Sequence, residues 1–372
     1  MTTPETKETV AGGGPPRYRR IAIIGPYPAY GGDIGGISCH IKRIRALLRE
    51  AGLAVRVYQI GGLGCAAEDV FSVSPRLGAI RAIVGRERDS LVHSHLVSFD
   101  QRLATMLVSP FHTGPLVLTV HGASLQRQLD GGTVRRGLAT WMMRAYDHVI
   151  GVSPQVAESV RQAGVRADRI SVLPAFVPPV VAQADRDAMP AALRPFTQVH
   201  DPVVAFNSSI VSVDGQDLYG HDLAIDLISR LRADGMNAGL VISLCRKPAA
   251  LELWARIQGR MQAADVRGHV FIVEPGHEFG PVLELADVFV RPTRSDGWGV
   301  SVAEAILQNV PAVASDVCDR VSGAYLFKSG ELDDLVDTVK RALAEGVPPG
   351  AGNELTYHLD LIQLYKRLAE IR

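Results

Sequence analysis

Short, mostly apolar runs rich in Val, Ile and Leu alternate with longer amphipathic stretches along almost the whole chain, and this alternation constrains the fold more than any other feature. In the first half the runs occupy residues 21–24, 54–60, 91–95, 115–120, 148–153 and 169–174. In the second half they occupy residues 202–206, 239–244, 269–274, 287–292 and 311–315. Apolar strands separated by helices are typical of a parallel sheet covered by helices on both faces. The sequence therefore predicts an α/β fold.

A proline-rich stretch interrupts the alternation, which then resumes on a similar plan. At 372 residues the chain is too long for one ordinary core and suits two domains. We predict a first domain at 18–178, a linker at 179–201 and a second domain at 202–354. Two domains imply a cleft between them.

The two ends of the chain differ in character. Residues 1–17 are polar and rich in Gly and Pro, with no apolar core for a signal peptide, so a disordered tail is expected. Within residues 353–372, apolar side chains recur at roughly helical spacing with charge elsewhere, namely Leu355, Leu359, Ile362, Leu364 and Leu368. This pattern predicts an amphipathic closing helix.

Charge and cysteine content narrow the class of function. Lys plus Arg and Asp plus Glu both number 39, so no net charge favours nucleic acid as a partner. The four cysteines, Cys39, Cys65, Cys245 and Cys318, lack the spacing of a zinc site, so we expect reduced thiols in a cytoplasmic protein and no metal. No apolar run is long enough to span a membrane. Peripheral membrane contact and a homodimer both stay open.

The segment 286–316 carries the strongest chemical signal. A predicted strand ends near Arg291, and a loop with Asp296 leads into a helix that carries Glu304. Ligands of open α/β sheets bind beyond the carboxyl ends of the strands, where carboxylates can accept hydrogen bonds from sugar hydroxyls and a helix start suits a diphosphate. An alternative is that Ser301 and Glu304 form a capping box and serve only the helix backbone.

A glycine-rich loop follows the first predicted strand and leads into a helix. Gly31, Gly32, Gly35 and Gly36 allow the backbone to approach a ligand closely, and the helix start presents amides to phosphate or sugar oxygens. The spacing differs from GxGxxG, so no dinucleotide fingerprint is predicted. Ordinary turn glycines in a flexible loop are the alternative interpretation.

Two more strand ends carry polar side chains. His121 follows the run 115–120 and can bond a sugar hydroxyl or a developing charge, although a purely structural histidine is the alternative. Of the neighbouring pair His93 and His95 at another strand end, we expect that only one can face the cleft. At the end of the run 202–206, Asn207, Ser208 and Ser209 offer neutral hydrogen-bonding groups, and solvated loop residues are the alternative there.

These features together resemble the retaining glycosyltransferases of family 4, which have the GT-B fold. The family signature is two acidic residues with seven between them, followed by a Gly-Pro-Val-type turn into a strand. Here Asp296 and Glu304 have that spacing, and Asn309-Val310-Pro311-Ala312-Val313 follows. The resemblance implies two Rossmann-like domains whose parallel sheets face each other across a cleft. It also implies that a C-terminal helix, 355–372, crosses back to complete the first domain.

The same resemblance implies an activity and roles for individual residues. The activity is a metal-independent hexosyl transfer from a nucleotide-diphosphate sugar to an acceptor hydroxyl, with retention of anomeric configuration and no further cofactor. Glu304 is implied to hold the donor ribose, while Asp296 and His121 stand at the donor sugar as catalytic residues. Gly35 and Gly36 are implied to lie beside the phosphates.

The chain departs from the family pattern at two places. The first acidic position is usually glutamate, and Asp296 is one methylene shorter. The family also places an arginine and a lysine where Ser209 and Tyr219 stand here, and a buried diphosphate needs cations. The predicted replacements are Arg246, Lys247, Arg291 and Arg294. The remaining predicted donor-binding residues are Ser208, Ser209, Gly297, Trp298, Gly299, Val300 and Ser301.

Two other functions fit the same fold. One is an epimerase of nucleotide sugars, which would place acid and base groups about the sugar carbon. The other is a binding or regulatory subunit that keeps the fold and lacks catalysis. For the transferase, the acceptor can be a polysaccharide, a lipid-linked sugar or a small natural product, because acceptor loops carry no readable code.

Overall fold

The computed structural model describes residues 20–28, 35–60, 67–74, 80, 82–122, 124–213 and 215–370. Within these ranges the chain folds into two α/β domains, each built on a parallel sheet. No helix in this part of the chain combines the length and the apolar character needed to cross a bilayer.

The first domain contains a seven-stranded sheet with the order β3-β2-β1-β4-β5-β6-β7, and all its strand pairs are parallel. The strands are β1 (Ile21–Gly25), β2 (Val55–Ile60), β3 (Val70–Val73), β4 (Leu91–Ser94), β5 (Leu116–Val120), β6 (His148–Gly151) and β7 (Ile170–Val172). The helices are α1 (Gly36–Glu50), α2 (Phe99–Val108), α3 (Ser124–Leu129), α4 (Thr133–Met143) and α5 (Pro154–Gln162). A π-helical turn covers Ala82–Arg86, and short 3₁₀ turns cover Ser109–Phe111 and Ala167–Arg169.

The second domain contains a six-stranded parallel sheet with the order β12-β11-β8-β13-β14-β15. Its strands are β8 (Val203–Ser208), β11 (Gly239–Leu244), β12 (Val270–Val273), β13 (Val288–Arg291), β14 (Ala312–Ser315) and β15 (Tyr325–Phe327). A small antiparallel hairpin is formed by β9 (Ser212–Val213) and β10 (Gln216–Asp217). The helices are α8 (His221–Ala233), α9 (Leu251–Ala263), α10 (Gly280–Leu283), α11 (Val300–Leu307) and α12 (Leu332–Glu345), and a 3₁₀ turn covers Arg267–His269.

Both faces of each sheet are buried, which explains the absence of polar alternation in the strands. In β1, Ile21 and Ile23 belong to one core cluster while Ala22 and Ile24 belong to another. The first cluster packs against α1, and the second packs against α2 to α5. In the second domain, α8, α9 and α12 cover one face of the sheet, whereas α10 and α11 cover the other.

The proline-rich stretch between the sheets contains two short helices, α6 (Gln183–Asp187) and α7 (Leu193–Val199). Leu193 is buried in the core of the second domain, on the face covered by α11. The last helix, α13 (Tyr357–Glu370), places Leu361, Leu364 and Tyr365 in the core cluster formed by β1 and α1. The chain thus returns to the first domain at its end, as the family resemblance implies.

Candidate active site between the domains

A cleft of about 480 Å³ lies between the two domains, at the carboxyl ends of strands from both sheets. Its volume falls within the range of about 300–1,000 Å³ that is usual for small-molecule sites. Residues that follow β1, β5 and β6 line one wall, and residues that follow β8, β11, β12 and β13 line the other. Parallel sheets place these strand ends together, so each domain contributes its loops and helix starts to one shared space.

The helix α11 begins on the wall formed by the second domain. Its N-cap is Gly299, whose φ of 88° lies in the left-handed region that favours glycine. Val300 and Ser301 in the first turn line the cleft, so backbone amides at the helix start are close to it. Such a helix start attracts anions through these amides and through the helix dipole.

The carboxylate of Asp296 lines the cleft and is shared by two arginines. Arg291 Nε donates to Asp296 Oδ2 at 2.9 Å, and Arg320 Nη1 donates to the same oxygen at 2.8 Å. The second oxygen, Oδ1, accepts from the Gly297 amide at 2.9 Å. Burial by itself raises the pKa of this carboxyl, but the two guanidinium groups outweigh burial and lower the pKa to about 2. Asp296 is therefore ionised at neutral pH and braces the loop before α11.

The two arginines beside Asp296 are held in place by further contacts. Arg320 donates to the backbone oxygens of Ser315 and Trp298, and its side chain is only 1% exposed. The guanidinium of Arg291 lies over the Tyr219 ring, with 5.3 Å between its carbon and the ring centroid. One carboxylate and two fixed arginines give this cluster one positive charge in excess.

Glu304 lies one turn further along α11 and is buried. Its carboxylate forms an ion pair with Arg43, which belongs to α1 in the first domain. The capping-box interpretation of Glu304 is wrong, because the N-cap of α11 is Gly299 and Ser301 already lies within the first turn of the helix. Glu304 is free of any role in capping the helix and faces the cleft.

The helix α1 begins on the opposite wall. Gly35 and Gly36 both line the cleft. The backbone N–H of Gly35 donates to the Ser38 hydroxyl at 2.9 Å, and that hydroxyl donates to the Gly35 carbonyl at 2.8 Å. These bonds fix the entry into the helix. Gly31 and Gly32 lie outside the described residues.

His121 lines the cleft directly after β5, with other histidines behind it. Its Nε2 lies 3.0 Å from Nδ1 of His95, which is fully buried. His93 points elsewhere, because its Nε2 bonds to the Thr119 hydroxyl and its Nδ1 to the Tyr365 hydroxyl of α13. Neither His93 nor His95 lines the cleft, so neither takes the place that the sequence allowed to one of them. Burial is the main reason why the pKa of His121 falls to about 3.

This geometry predicts the tautomer of His121. Nε2 of His95 is buried without a hydrogen-bond partner, so a proton there would be a buried, unsatisfied donor. The proton of His95 is therefore expected on Nδ1, where it donates to His121 Nε2. His121 must then carry its own proton on Nδ1. ¹⁵N NMR at neutral pH is expected to show an Nδ1–H tautomer for His121, assigned through the His121→Gln variant.

The His95→Phe variant serves as the comparison. It keeps an aromatic ring at residue 95 but removes both nitrogens, so His121 is expected to gain the Nε2–H form. An Nε2–H tautomer of His121 in the unmodified protein would contradict the assignment.

Family models match both domains. The model described as Glycosyltransferase Family 4 matches residues 34–180, and the model described as Glycosyl transferases group 1 matches residues 202–345. Between them the matches span most of the chain. This chain belongs to the family 4 type of GT-B glycosyltransferases.

Solved structures share the GT-B fold across nearly the whole chain. HepE of Anabaena in complex with UDP has a TM-score of 0.64 at 13% identity, covering 94% of this chain and 98% of that one. A glycosyltransferase of Rickettsia africae has a TM-score of 0.66 at 13% identity, with coverages of 95% and 100%. Sucrose-phosphate synthase of Thermosynechococcus elongatus has a TM-score of 0.65 at 15% identity, with coverages of 94% and 96%. No curated protein sequence matches the chain.

Most residues predicted from the glycosyltransferase signature meet in one place. The predicted residues that line the cleft are Gly35, Gly36, His121, Arg291, Asp296, Gly297, Trp298, Gly299, Val300, Ser301 and Glu304. They come from distant parts of the chain and from both domains. Their roles toward a donor stay predictions.

Other predicted donor-binding residues are not brought to the cleft wall. Ser208 is fully buried and bonds to His221 Nε2 at 2.9 Å, and Ser209 is buried beside it. Asn207 lines the cleft instead, and Ser208, the next residue of β8, points to the opposite face of the strand.

Of the four cations predicted to neutralise the diphosphate, Arg291 lines the cleft and the other three do not. Arg294 forms a two-point ion pair with Asp222 and donates to the Asp217 carbonyl, so it braces the start of α8 outside the cleft. Arg246 and Lys247 are exposed after β11 and do not line the cleft. Arg246 lies near its edge, because its Nη2 is 3.9 Å from the point where a Cβ on Gly35 would stand.

Sequence reasoning missed Arg43 and Arg320. Arg43 could have been found from α1, because it lies seven residues after Gly36 and four after Cys39, on the same helical stripe. Arg320 follows β14, and the rule that ligand-contacting residues follow strands would have drawn attention to that loop.

The described cysteines, Cys39, Cys245 and Cys318, are unpaired thiols, and the fourth, Cys65, lies outside the described residues. Cys39 and Cys245 line the cleft. Burial raises the pKa of Cys39 to about 12, so this thiol is protonated and a weak nucleophile at neutral pH. In the part of the chain that the structure describes, no three His, Cys, Asp or Glu side chains are grouped to hold a metal ion.

Proposed function

We propose that this glycosyltransferase transfers a hexosyl group from a nucleotide-diphosphate sugar to an acceptor hydroxyl, with retention of anomeric configuration and without a metal or other cofactor. The observation that carries the proposal is the meeting of two helix starts, those of α1 and α11, at one cleft between the domains. A diphosphate placed there would receive backbone amides and the positive ends of two helix dipoles. HepE, which shares the fold, was solved in complex with UDP.

Glu304 suits the donor ribose. It is the residue of the acidic pair nearer to the middle of α11, and its carboxylate can accept two hydrogen bonds from neighbouring hydroxyls. Asp296 has a different part, since both of its oxygens are already engaged by Arg291, Arg320 and the Gly297 amide. It would hold the two arginines where the leaving diphosphate develops charge.

Retention is favoured by the state of the carboxylates in the cleft. Among the described lining residues, the carboxylates are Glu278, Asp296 and Glu304, and each is in an ion pair. An inverting transfer needs a base on the side of the sugar opposite the leaving group. With Glu278 and Asp296 held by cations and Glu304 assigned to the donor ribose, the departing phosphate oxygen can itself accept the acceptor proton, on the face that it leaves. The acceptor then enters on that face and the configuration is kept.

In this cleft, arginines can balance the charge of the leaving diphosphate in place of a divalent cation. Arg43 lines the cleft, and Arg291 and Arg320 flank Asp296 at its wall. Fixed guanidinium groups aimed at a leaving diphosphate stabilise the transition state without reorganisation. His121, with a proton on Nδ1, would add a neutral donor beside the sugar.

A two-stage experiment tests this function. Thermal-shift screening against nucleotide sugars with uracil, guanine and adenine bases identifies the donor, because a ligand that binds the native state raises the melting temperature. ¹H NMR then follows the slow hydrolysis of an α-linked donor without acceptor, in the presence of EDTA. We expect the α-anomer of the free sugar to form first, at a rate that EDTA leaves unchanged. First formation of the β-anomer, loss of the rate in EDTA, or an epimerised nucleotide sugar would each contradict the proposal.

A further inference from the structure

The cleft must neutralise a diphosphate with few cations. A nucleotide sugar carries one negative charge on each of its two phosphate groups, and burying these charges without partners is costly. Among the described residues that line the cleft, the Lys and Arg side chains are Arg43 and Arg291. The cluster of Arg291, Arg320 and Asp296 supplies one positive charge in excess. Among the described side chains that line the cleft, Arg43 is the one that can supply a second positive charge.

The position of Arg43 on α1 suits it to reach a phosphate. It lies seven residues after Gly36, which places it on the same helical stripe and about 10 Å along the axis. Helical side chains lean toward the N-terminus of their helix, so the guanidinium extends back toward the first turns. Gly36, Cys39 and Arg43 all line the cleft, which confirms that this stripe faces it.

In this structure Arg43 is paired with the Glu304 carboxylate, which we assign to the donor ribose. The side chains of Arg43 and Glu304 are only 14% and 8% exposed, so neither charge can be left without a partner cheaply. When ribose hydroxyls occupy Glu304, they compete for its oxygens with Arg43. The diphosphate that arrives with the ribose is then the anion within reach of Arg43.

We propose that Arg43 exchanges partners when the donor binds, from Glu304 to the donor diphosphate, and so supplies the cation that is absent at Ser209 and Tyr219. This inference rests on the proposed function. In this proposal Arg43 recognises the phosphates of the donor and does not contact its base. Because Arg43 and Glu304 belong to different domains, the exchange also ties the arrangement of the domains to the presence of donor.

The test compares nucleotides with and without phosphates. UDP, GDP and ADP, with the matching nucleosides, are titrated calorimetrically into the full-length protein and its Arg43→Gln variant. For the base that the protein binds, we expect Arg43→Gln to lower the affinity for the nucleoside diphosphate by about tenfold or more, because a charge-assisted hydrogen bond is lost. The nucleoside is expected to bind the variant as well as or better than it binds the unmodified protein, because Glu304 is released.

Arg45→Gln is the matched control. Arg45 is also an arginine of α1 and forms an ion pair with Asp69 of the first domain, but neither residue lines the cleft. If the loss of any ion-paired arginine of α1 had the same effect, this variant would weaken the binding of the diphosphate equally. We expect its nucleotide affinities to stay within twofold of those of the unmodified protein.

The outcomes separate the two levels of the proposal. Equal weakening of nucleoside and nucleoside diphosphate by Arg43→Gln would mean that Arg43 only orients Glu304, and would overturn this inference alone. Unchanged binding of both by Arg43→Gln would overturn it as well. An unmodified protein that binds none of the six compounds would overturn the proposed function together with the inference.

Discussion

Replacing Asp296 by alanine is expected to destabilise the protein by about 3 to 5 kcal/mol, which is the usual cost of removing one partner from a buried ion pair. The variant leaves Arg291 and Arg320 facing each other with side chains 12% and 1% exposed and no carboxylate between them. The measurement is the shift of the urea-unfolding midpoint, followed by circular dichroism.

Asp333→Ala is the control for this prediction. Asp333 also pairs with an arginine, Arg230, but their side chains are 81% and 49% exposed, so its loss is expected to cost well under 1 kcal/mol. An Asp296→Ala variant as stable as Asp333→Ala would contradict the bracing role of Asp296.

The ion pairs of Asp296 with Arg291 and Arg320 are expected to make the folding stability depend on pH. Because the folded state lowers the pKa of Asp296 to about 2, the stabilisation is complete above the pKa of the unfolded state, near 4. It is lost as the pH falls from about 4 toward about 2 and the carboxylate takes up a proton. The stability difference between the protein and Asp296→Asn is therefore expected to be constant above pH 4 and to shrink below it.

Replacing Glu304 by alanine is expected to lower kcat/KM for the nucleotide-sugar donor by about 100-fold. Two hydrogen bonds to a carboxylate contribute about 1.5 to 3 kcal/mol each, so even partial loss amounts to about 3 kcal/mol. Glu304→Gln keeps the shape and one acceptor oxygen, so its kcat/KM is expected to lie between those of the unmodified protein and Glu304→Ala. Initial rates of donor turnover at a series of donor concentrations measure the effect.

Glu284→Ala provides the comparison for Glu304. Glu284 is also an acidic residue of the second domain in an ion pair with an arginine, Arg186, but it lies outside the cleft with one third of its side chain exposed. Its replacement is expected to leave kcat/KM within twofold. Equal rates for Glu304→Ala and Glu284→Ala would remove Glu304 from the donor site.

The strands of the sheet interiors could be predicted from sequence because burial on both faces leaves an unbroken apolar run. The run 239–244 coincides with β11, and the run 287–292 contains β13. The short edge strands Val70–Val73 and Tyr325–Phe327 escaped prediction, since three or four residues with partly exposed side chains produce no clear run.

Side-chain direction in the closing helix shows another limit. Its leucine spacing predicted an apolar face that includes Leu359, yet Leu359 is 51% exposed, while Tyr365 is buried in the first domain. Periodicity places an apolar stripe only approximately, and packing against β1 and α1 decides which residues enter the core. The hydroxyl of Tyr365 reaches His93, a contact between residues 272 positions apart in sequence.

The candidate site was predictable where its residues follow one strand and precede one helix. Asp296, the glycines and Glu304 could be recognised together because a single strand–loop–helix unit carries them. The partners of these residues could not be read in the same way. Arg43 reaches Glu304 from the other domain, and no local pattern in α1 announces a carboxylate 261 residues away.

A crystal structure of the protein with a bound nucleoside diphosphate tests the donor site most directly. We expect the ribose hydroxyls within hydrogen-bond distance of the Glu304 carboxylate and the diphosphate between the starts of α1 and α11. A nucleotide bound outside the cleft, or one whose ribose turns away from Glu304, would contradict this placement.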